Sequence, residues 1–470
     1  MSPGAPPSMG AGASDPSADS ALYRRVWRWH FYAGLVCLPF LLVMAVTGAL
    51  YLFKDEIQSR VYRDLWFVAP APTVVSDAET LVQRAQAFAP GRPVRFVAPA
   101  QVGRSAEVGI RAGGAVVSVY LDPANGRVLG QLDDDHKLME VVKHIHSLAI
   151  AGTVANHWIE VVAGWAIVLV VSGIFLWWPR GRRGGVYSVR GRPAQRTWWR
   201  DLHAVTGITA AVAILFLAVT GMPWSAFWGD RFSHYTNEWG IGLPKYLWGA
   251  APESSPPMSS LGTVPWPLTQ APIPRSATHA GHDSPSVNRD ATPASTARPI
   301  GLDEALRIFE RLGLPTGTPV NLPDGARGVY TATSFPDDAT AERVVHLDQY
   351  TGAVLADVGY RDYGVAGRFT EWGISLHTGR QFGWVNQLVM LAGCASIVVL
   401  AISAAVMWWK RRPHGRLAAP PRLAGDRAAR GAIAVAVLLG LLYPLLGASM
   451  VIATLVDAIV PQRWHERFGL

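Results

Sequence analysis

Long apolar runs alternate with polar segments along this chain. Phe31 to Phe53 carry no charge, and four similar runs follow: Trp158–Trp178 (broken only by Glu160), Ala204–Trp228, Trp384–Trp409 and Gly431–Val456. A hydrocarbon core of about 30 Å takes about 20 apolar helical residues, so the pattern predicts five transmembrane helices. The polar segments predict small α+β units. In the first, Asp77 to Phe88 has helical spacing, with Ala78, Leu81, Val82, Ala85 and Phe88 on one side. Strand-like runs follow at Val94–Val97, Ala106–Arg111 and Val116–Leu121, with a turn signal at Asp122-Pro123 and Asn125-Gly126. The second offers a helix at Leu302–Leu312, strands at Tyr330–Phe335 and Val344–Leu347, and a turn at Tyr350-Thr351-Gly352. Residues 250–299, rich in Pro, Ser, Ala and Thr, predict a linker or disordered insertion.

The pattern repeats. Trp29-His30 opens the first run, with Gly34 next and Thr47-Gly48 near its end; Leu202-His203 opens the third, with Gly207 and Thr220-Gly221 at the same offsets. His146 precedes Trp177-Trp178-Pro179-Arg180 by 31 residues, and His377 precedes Trp408-Trp409-Lys410-Arg411 by 31. Between these, Tyr120-Leu121-Asp122 with Gly126 matches His346-Leu347-Asp348 with Gly352. The plan is a tandem duplication of helix, external domain, helix, followed by a fifth helix.

Charge adds orientation. The 470 residues carry a net +8, yet only 16% are charged, below the roughly one quarter of soluble chains. Seventeen of the 42 basic residues lie in three short stretches, 24–28, 180–200 and 410–430, which hold a single acid, Asp426. The long segments 54–145 and 229–376 carry 11 and 11 basic residues against 11 and 16 acidic ones. The basic excess is therefore a topology signal rather than a nucleic-acid footprint. It places the N-terminus and both short loops in the cytoplasm and both long segments outside. Two Cys exclude a disulfide scaffold and Cys-rich metal modules.

The candidate chemistry is histidine. His30 and His203 open helices on the inner side, and His146 and His377 precede helices on the outer side. An imidazole in or beside a bilayer is a functional candidate. Paired imidazoles from facing helices suit the two axial positions of a haem iron, and the repeat supplies His30 with His203 and His146 with His377. An imidazole can also simply anchor a helix end among the headgroups, as Trp and Tyr do; four at duplicated offsets weigh against that. A continuous helix of 31 residues would rise about 46 Å, beyond the hydrocarbon core. Either the segments after His146 and His377 bend back, or a further site bridges the gap. His144 and His157 are alternative ligands without a partner in the other copy. Asp201, two residues before His203, is a candidate carboxylate to orient its ring. Glu160 is a candidate proton or hydrogen-bond partner, or a residue bordering the headgroups. His279 and His282 resemble a metal pair, but in a segment read as disordered. There is no phosphate loop, zinc-helix motif, serine elbow or dinucleotide fingerprint. Cytoplasmic loops this short hold no flavin or nicotinamide domain, so electrons would come from a quinol or a separate cytoplasmic reductase.

Trp29-His30 through Thr47-Gly48-Ala49-Leu50, Trp199-Arg200-Asp201-Leu202-His203 through Thr220-Gly221-Met222-Pro223-Trp224, Glu160 with Ser172-Gly173 through Trp177-Trp178-Pro179-Arg180, and His377-Thr378-Gly379-Arg380-Gln381-Phe382-Gly383 with Met407-Trp408-Trp409-Lys410-Arg411-Arg412-Pro413 together resemble the PepSY-associated transmembrane family, over most of residues 22–415. The two external segments look like PepSY domains. The resemblance implies a bacterial inner-membrane protein with two periplasmic PepSY-like domains, akin to iron-regulated membrane proteins and siderophore-iron reductases. It carries over His30, His146, His203 and His377 as haem ligands.

The expected fold is thus a polytopic α-helical membrane protein with two α+β periplasmic domains. Its parts are a disordered tail (1–21), helix one (22–53), PepSY-like domain one (54–145), helix two with its lead-in (146–179), a basic loop (180–200), helix three (201–228), a periplasmic segment with the linker (229–299), PepSY-like domain two (300–376), helix four with its lead-in (377–409), a basic loop (410–430), helix five (431–457) and a short periplasmic C-terminus (458–470). The expected function is a membrane-bound reductase of a ferric siderophore or other ferric chelate, carrying haem b, two in number, and embedded in the lipid bilayer. Alternatives are a non-enzymatic regulator of a periplasmic peptidase or envelope process, and a metal or solute transporter.

Overall fold

The computed structural model describes residues 16–70, 76–180, 184–244, 255–276, 298–412, 417 and 430–459. The expectations for residues 1–15, His279, His282, most of 413–429 and the C-terminal 460–470 lie outside the described residues. The chain forms two compact units.

The helical unit comprises residues 1–46, 153–222 and 392–470. Helices α1 (Pro16–Tyr51), α6 (Thr153–Trp177), α7 (Arg196–Gly221) and α11 (Gly383–Arg411) carry four spans long and apolar enough to cross a membrane. At 1.5 Å per residue, the 25 residues of α6 rise about 38 Å. Helix α1 begins at Pro16, so the last residues of the expected tail are helical. Aromatic contacts pack α1 on α6: Trp29 stacks on Trp165 at 6.3 Å, and Phe40 meets Trp158 edge-on at 6.1 Å.

The fifth apolar run is not one span. It breaks into α12 (Arg430–Leu442) and α13 (Pro444–Ile459). Pro444 has no N–H and its ring clashes with the preceding turn. Beyond the break the chain turns back sharply. A Cβ on Gly447 would lie 2.7 Å from the Gly440 carbonyl oxygen, a closeness that only two glycines allow. Helices of 13 and 16 residues reach about 20 and 24 Å, short of a 30 Å core. The hairpin leans on α6, where Trp165 Nε1 donates to Ser449 Oγ at 2.9 Å and Gly164 admits Leu446.

The second unit comprises residues 47–152 and 223–391. Here the structure differs from two separate sheets. Strands β1 (Arg92–Val97), β2 (Ala106–Ala112), β3 (Ala115–Leu121), β4 (Val128–Asp133), β5 (Pro319–Asn321), β6 (Val329–Ser334), β7 (Arg343–Asp348) and β8 (Val354–Gly359) form one sheet ordered β4-β3-β2-β1-β5-β6-β7-β8. Every pairing is antiparallel. The seam is the pairing of β1 with β5, Phe96 opposite Val320, which satisfies two edges that would otherwise template aggregation. Helices α4 (Ala78–Phe88) and α9 (Leu302–Arg311) share one core with both halves, including Leu81, Phe96, Val108, Phe309, Val320 and Leu347. Each helix also caps the other. Asp303 Oδ1 accepts from Ala78 N at 2.8 Å, and Glu79 Oε1 accepts from Leu302 N at 2.9 Å, placing a carboxylate at each positive helix end.

The opposite face is covered differently in each half. Under β1–β3 lies a polar network in which Arg95, Lys137, Glu107, Asp134 and Ser118 satisfy one another. Over the second half, residues 255–276 are ordered. Met258, Val264, Leu268 and Ala271 pack on Val344 and Val358, so part of the Pro/Ser-rich insertion is a folded cover rather than a linker.

Five more helices complete this unit: α2 (Lys54–Val61), α3 (Arg63–Trp66), α5 (Leu138–His146), α8 (Trp228–Glu238) and α10 (Val365–His377). Helices α5 and α10 end at His146 and His377. After His146 the chain turns through Leu148 (φ 55°) and Gly152 (φ 92°) before α6 begins; after His377 it turns through Gly379 (φ 78°) and Gly383 (φ 58°) before α11. Neither 31-residue segment is a continuous helix. A turn interrupts each, which removes the length conflict.

Candidate functional site

His30 on α1 and His203 on α7 face each other inside the helical unit. Their ring centroids are 6.4 Å apart and their planes perpendicular. Each ring is anchored at Nδ1. Ser172 Oγ lies 2.8 Å from His30 Nδ1, and Ser403 Oγ lies 3.0 Å from His203 Nδ1. The hydroxyl protons are engaged elsewhere: Ser172 donates to the Val168 carbonyl at 2.6 Å, and Ser403 to the Leu400 carbonyl at 3.0 Å. Each hydroxyl therefore accepts from the ring. The Leu400 carbonyl, an acceptor only, also lies 3.2 Å from His203 Nδ1. Both rings thus carry their proton on Nδ1, which leaves the Nε2 lone pair as the donor to a metal.

Glycines flank the rings. Gly34 and Gly207 sit one turn after His30 and His203, on the same helix faces. A Cβ at either position would find its nearest atom at 3.9 and 3.7 Å, the methyls of Leu169 and Leu400 respectively. Gly173 admits the His30 ring, whose Cε1 would lie 3.4 Å from an added Cβ.

His146 and His377 lie at the C-terminal ends of α5 and α10, near enough for His146 to act electrostatically on His377. Thr47 Oγ1 bonds His146 Nδ1 at 3.0 Å, so a hydroxyl again engages the Nδ1 side. His377 is held well below the usual imidazole range, to about 4, by burial and then by the neighbouring His146. It is therefore neutral at physiological pH, the form that ligates metal.

The other candidates are placed elsewhere. The Asp201 carboxylate is fully buried but turned to the basic loop: it accepts from Arg190 Nε at 2.7 Å and Arg200 Nε at 2.8 Å. The orienting role expected for it at His203 falls to Ser403 and Leu400. His157 is half-buried near the start of α6, its Nδ1 2.7 Å from the Thr153 carbonyl. His144 lies two residues before His146 on α5, about 200° around the helix. Among the described residues, neither ring meets a second imidazole. Glu160 is buried on α6.

Sequence reasoning missed Ser172 and Ser403 as partners of the histidines. Their signal is that each stands 26 residues after another histidine, Ser172 after His146 and Ser403 after His377.

Among the described residues, no three His, Cys, Asp or Glu side chains gather as a metal site. Two imidazoles alone do not complete the coordination of a bare ion, but they do complete that of a metal whose other ligands come from a macrocycle. The spacing fits: metal–imidazole bonds of about 2 Å on both sides of an ion separate two ring centroids by roughly 6 Å.

A comparison with protein families matches residues 27–411 to the family described as PepSY-associated TM region. No curated protein matches the chain.

Proposed function

Because the chain belongs to the PepSY-associated TM family, we propose that it is a haem b electron-transfer protein of the bacterial inner membrane that reduces a ferric siderophore or other ferric chelate at its periplasmic side. The observation that carries this reading is the opposed His30–His203 pair, tied at Nδ1 on both sides. His30 and His203 would hold the haem iron, and the group would supply one-electron chemistry. Reducing equivalents from a quinol or a separate cytoplasmic reductase would enter at the His30–His203 end, and the His146–His377 end would pass them outward.

The protein's own residues do the holding. Ser172 and Ser403 fix the tautomer and swing of the inner imidazoles, and Thr47 fixes the swing of His146. Gly34 and Gly207 leave the helix faces beside the rings flat. The antiparallel sheet with its helical cover would form the docking surface for the chelate. Hard oxygen chelators hold Fe(III) tightly and softer Fe(II) weakly, so single-electron transfer is enough to release iron.

The test is spectroscopic. Protein purified in detergent from cells supplied with haem is expected to give a reduced-minus-oxidised b-type spectrum, with His203→Ala lowering the haem-to-protein ratio. A colourless wild type, or an unchanged ratio in the variant, would overturn the reading.

A further inference from the structure

A second set of buried titratable groups lies in the sheet unit, with no part in holding a metal. Glu342, just before β7, and Glu371, in the middle of α10, are each only 2 % exposed. Both Glu342 carboxyl oxygens lack a hydrogen-bond partner among the described residues, as does the hydroxyl of Tyr363, itself 2 % exposed. Glu371 accepts the backbone N–H of Trp266 from the folded cover. Two buried carboxylates facing each other cannot both be ionised without large cost. Burial raises both, most strongly Glu342, which also feels Glu371.

The groups around the pair are few. Arg380 is the cation that faces both carboxyls, and it opposes the rise without cancelling it. Tyr363 faces them with its own hydroxyl pushed well up, by burial and then by Glu342, Glu371 and Asp362. Asp362 and Asp338 are occupied: Asp362 accepts from Gly359 N at 2.8 Å, and Asp338 accepts from Gln381 Nε2 at 2.7 Å. One cation and two carboxyls leave room for one proton. The Arg380 charge and the lack of further acidic ligands disfavour a metal ion.

The pair is wired to the external histidines. Glu371 and His377 share α10, about 9 Å apart along its axis. Arg380 folds back after His377, its N–H on the Ser375 carbonyl at 2.9 Å. Gln381 Oε1 accepts from Ala339 N at 3.1 Å, and Glu342 N in turn donates to the Ala339 carbonyl at 3.1 Å. The loop holding Glu342 is thus pinned to the turn that follows His377.

We propose that Glu342 and Glu371 form a proton site that shares one proton at rest and takes up a second when an electron reaches the His146–His377 end. This rests on the electron-transfer reading above. The step balances: one electron arrives, one proton from external water binds the remaining carboxylate as an O–H bond, and both leave when the electron is passed on. Net charge in the buried region stays constant, which removes the Coulombic penalty of a lone electron in a low-dielectric interior.

Infrared spectroscopy and redox titration of the full chain test it. The wild type is expected to show a buried protonated-carboxyl band at neutral pH, lost or shifted in Glu342→Gln and in Glu371→Gln. The outer haem potential is expected to fall with rising pH, toward the limit of about 59 mV per tenfold change in proton activity, and each variant should flatten that slope. A band unchanged in both variants would overturn the shared proton. Haem with a slope unchanged in both variants would overturn the electron linkage alone. A wild type without haem would overturn the proposed function and the linkage together, leaving the band to decide the shared proton. Gln preserves the side-chain shape, and equal thermal unfolding at neutral pH checks that each variant folds.

Discussion

The imidazoles of His30 and His203 stand perpendicular with centroids 6.4 Å apart, each held from behind by a serine of another helix. Two rings at matching sequence offsets meet with room for one ion between them. The serines should therefore matter without touching the metal. Ser172→Ala and Ser403→Ala are expected to keep the fold but weaken haem retention by about 10- to 100-fold, the usual effect of removing a partner behind a ligand. They should also shift the haem midpoint potential. Haem-to-protein ratios after competition with apomyoglobin, together with redox titration, would measure both. Retention and potential equal to wild type would remove the serines from the site.

Asp201 gives the contrasting case. Its carboxylate holds Arg190 and Arg200 rather than His203, so Asp201→Asn should loosen the basic loop and spare the site. The loss is expected to be about 2 kcal/mol, the scale of a hydrogen bond to a charged group, read as a lower thermal unfolding temperature in detergent. The haem-to-protein ratio should not change. A variant of normal stability that has lost haem would return Asp201 to the role of orienting His203.

These two sites mark how far the sequence could be read. Four of the five expected spans, the approach of His30 to His203 and the helix at α4 were legible because they rest on local periodicity and on repeated sequence offsets. The serines were legible in principle, since their offset from His146 and His377 repeats. What escaped depends on distant pairing. Strand β5 is three residues long, Pro319–Asn321, and gains meaning only opposite β1. Residues 255–276 look like a linker by composition, yet Met258 and Leu268 find a sheet face that needs covering. Glu342 and Glu371 carry no shared spacing at all; the fold alone brings them together.

Their burial predicts a pH effect on stability. A carboxyl raised in the folded state binds more protons than in the unfolded chain, so the unfolding free energy falls as pH rises. The decline should begin above the ordinary carboxylate range, near pH ~4.3, and continue through neutrality. Thermal unfolding of the wild type is therefore expected to shift downward between mildly acidic and alkaline buffer. Glu342→Gln, which cannot ionise, should unfold with less pH dependence. An identical slope in wild type and variant would mean that Glu342 is ionised in the folded protein.

The break at Pro444 makes the last prediction. If α12 and α13 form a hairpin that enters and leaves the membrane on one side, a reporter fused after Ile459 should read the same compartment as one fused before Arg430. A single fifth span would put them on opposite sides. The turn depends on Gly440 and Gly447, where an added Cβ on Gly447 would lie 2.7 Å from the Gly440 carbonyl oxygen. Gly447→Leu should therefore force the helices apart. Opening the hairpin would also pull Ser449 from Trp165 Nε1, now 2.9 Å away. The indole would lose a partner in an apolar setting, and its fluorescence should change with it. Reporters on opposite sides in the wild type would show that the apolar run spans despite its proline, with the fold at Tyr443 straightening in the bilayer.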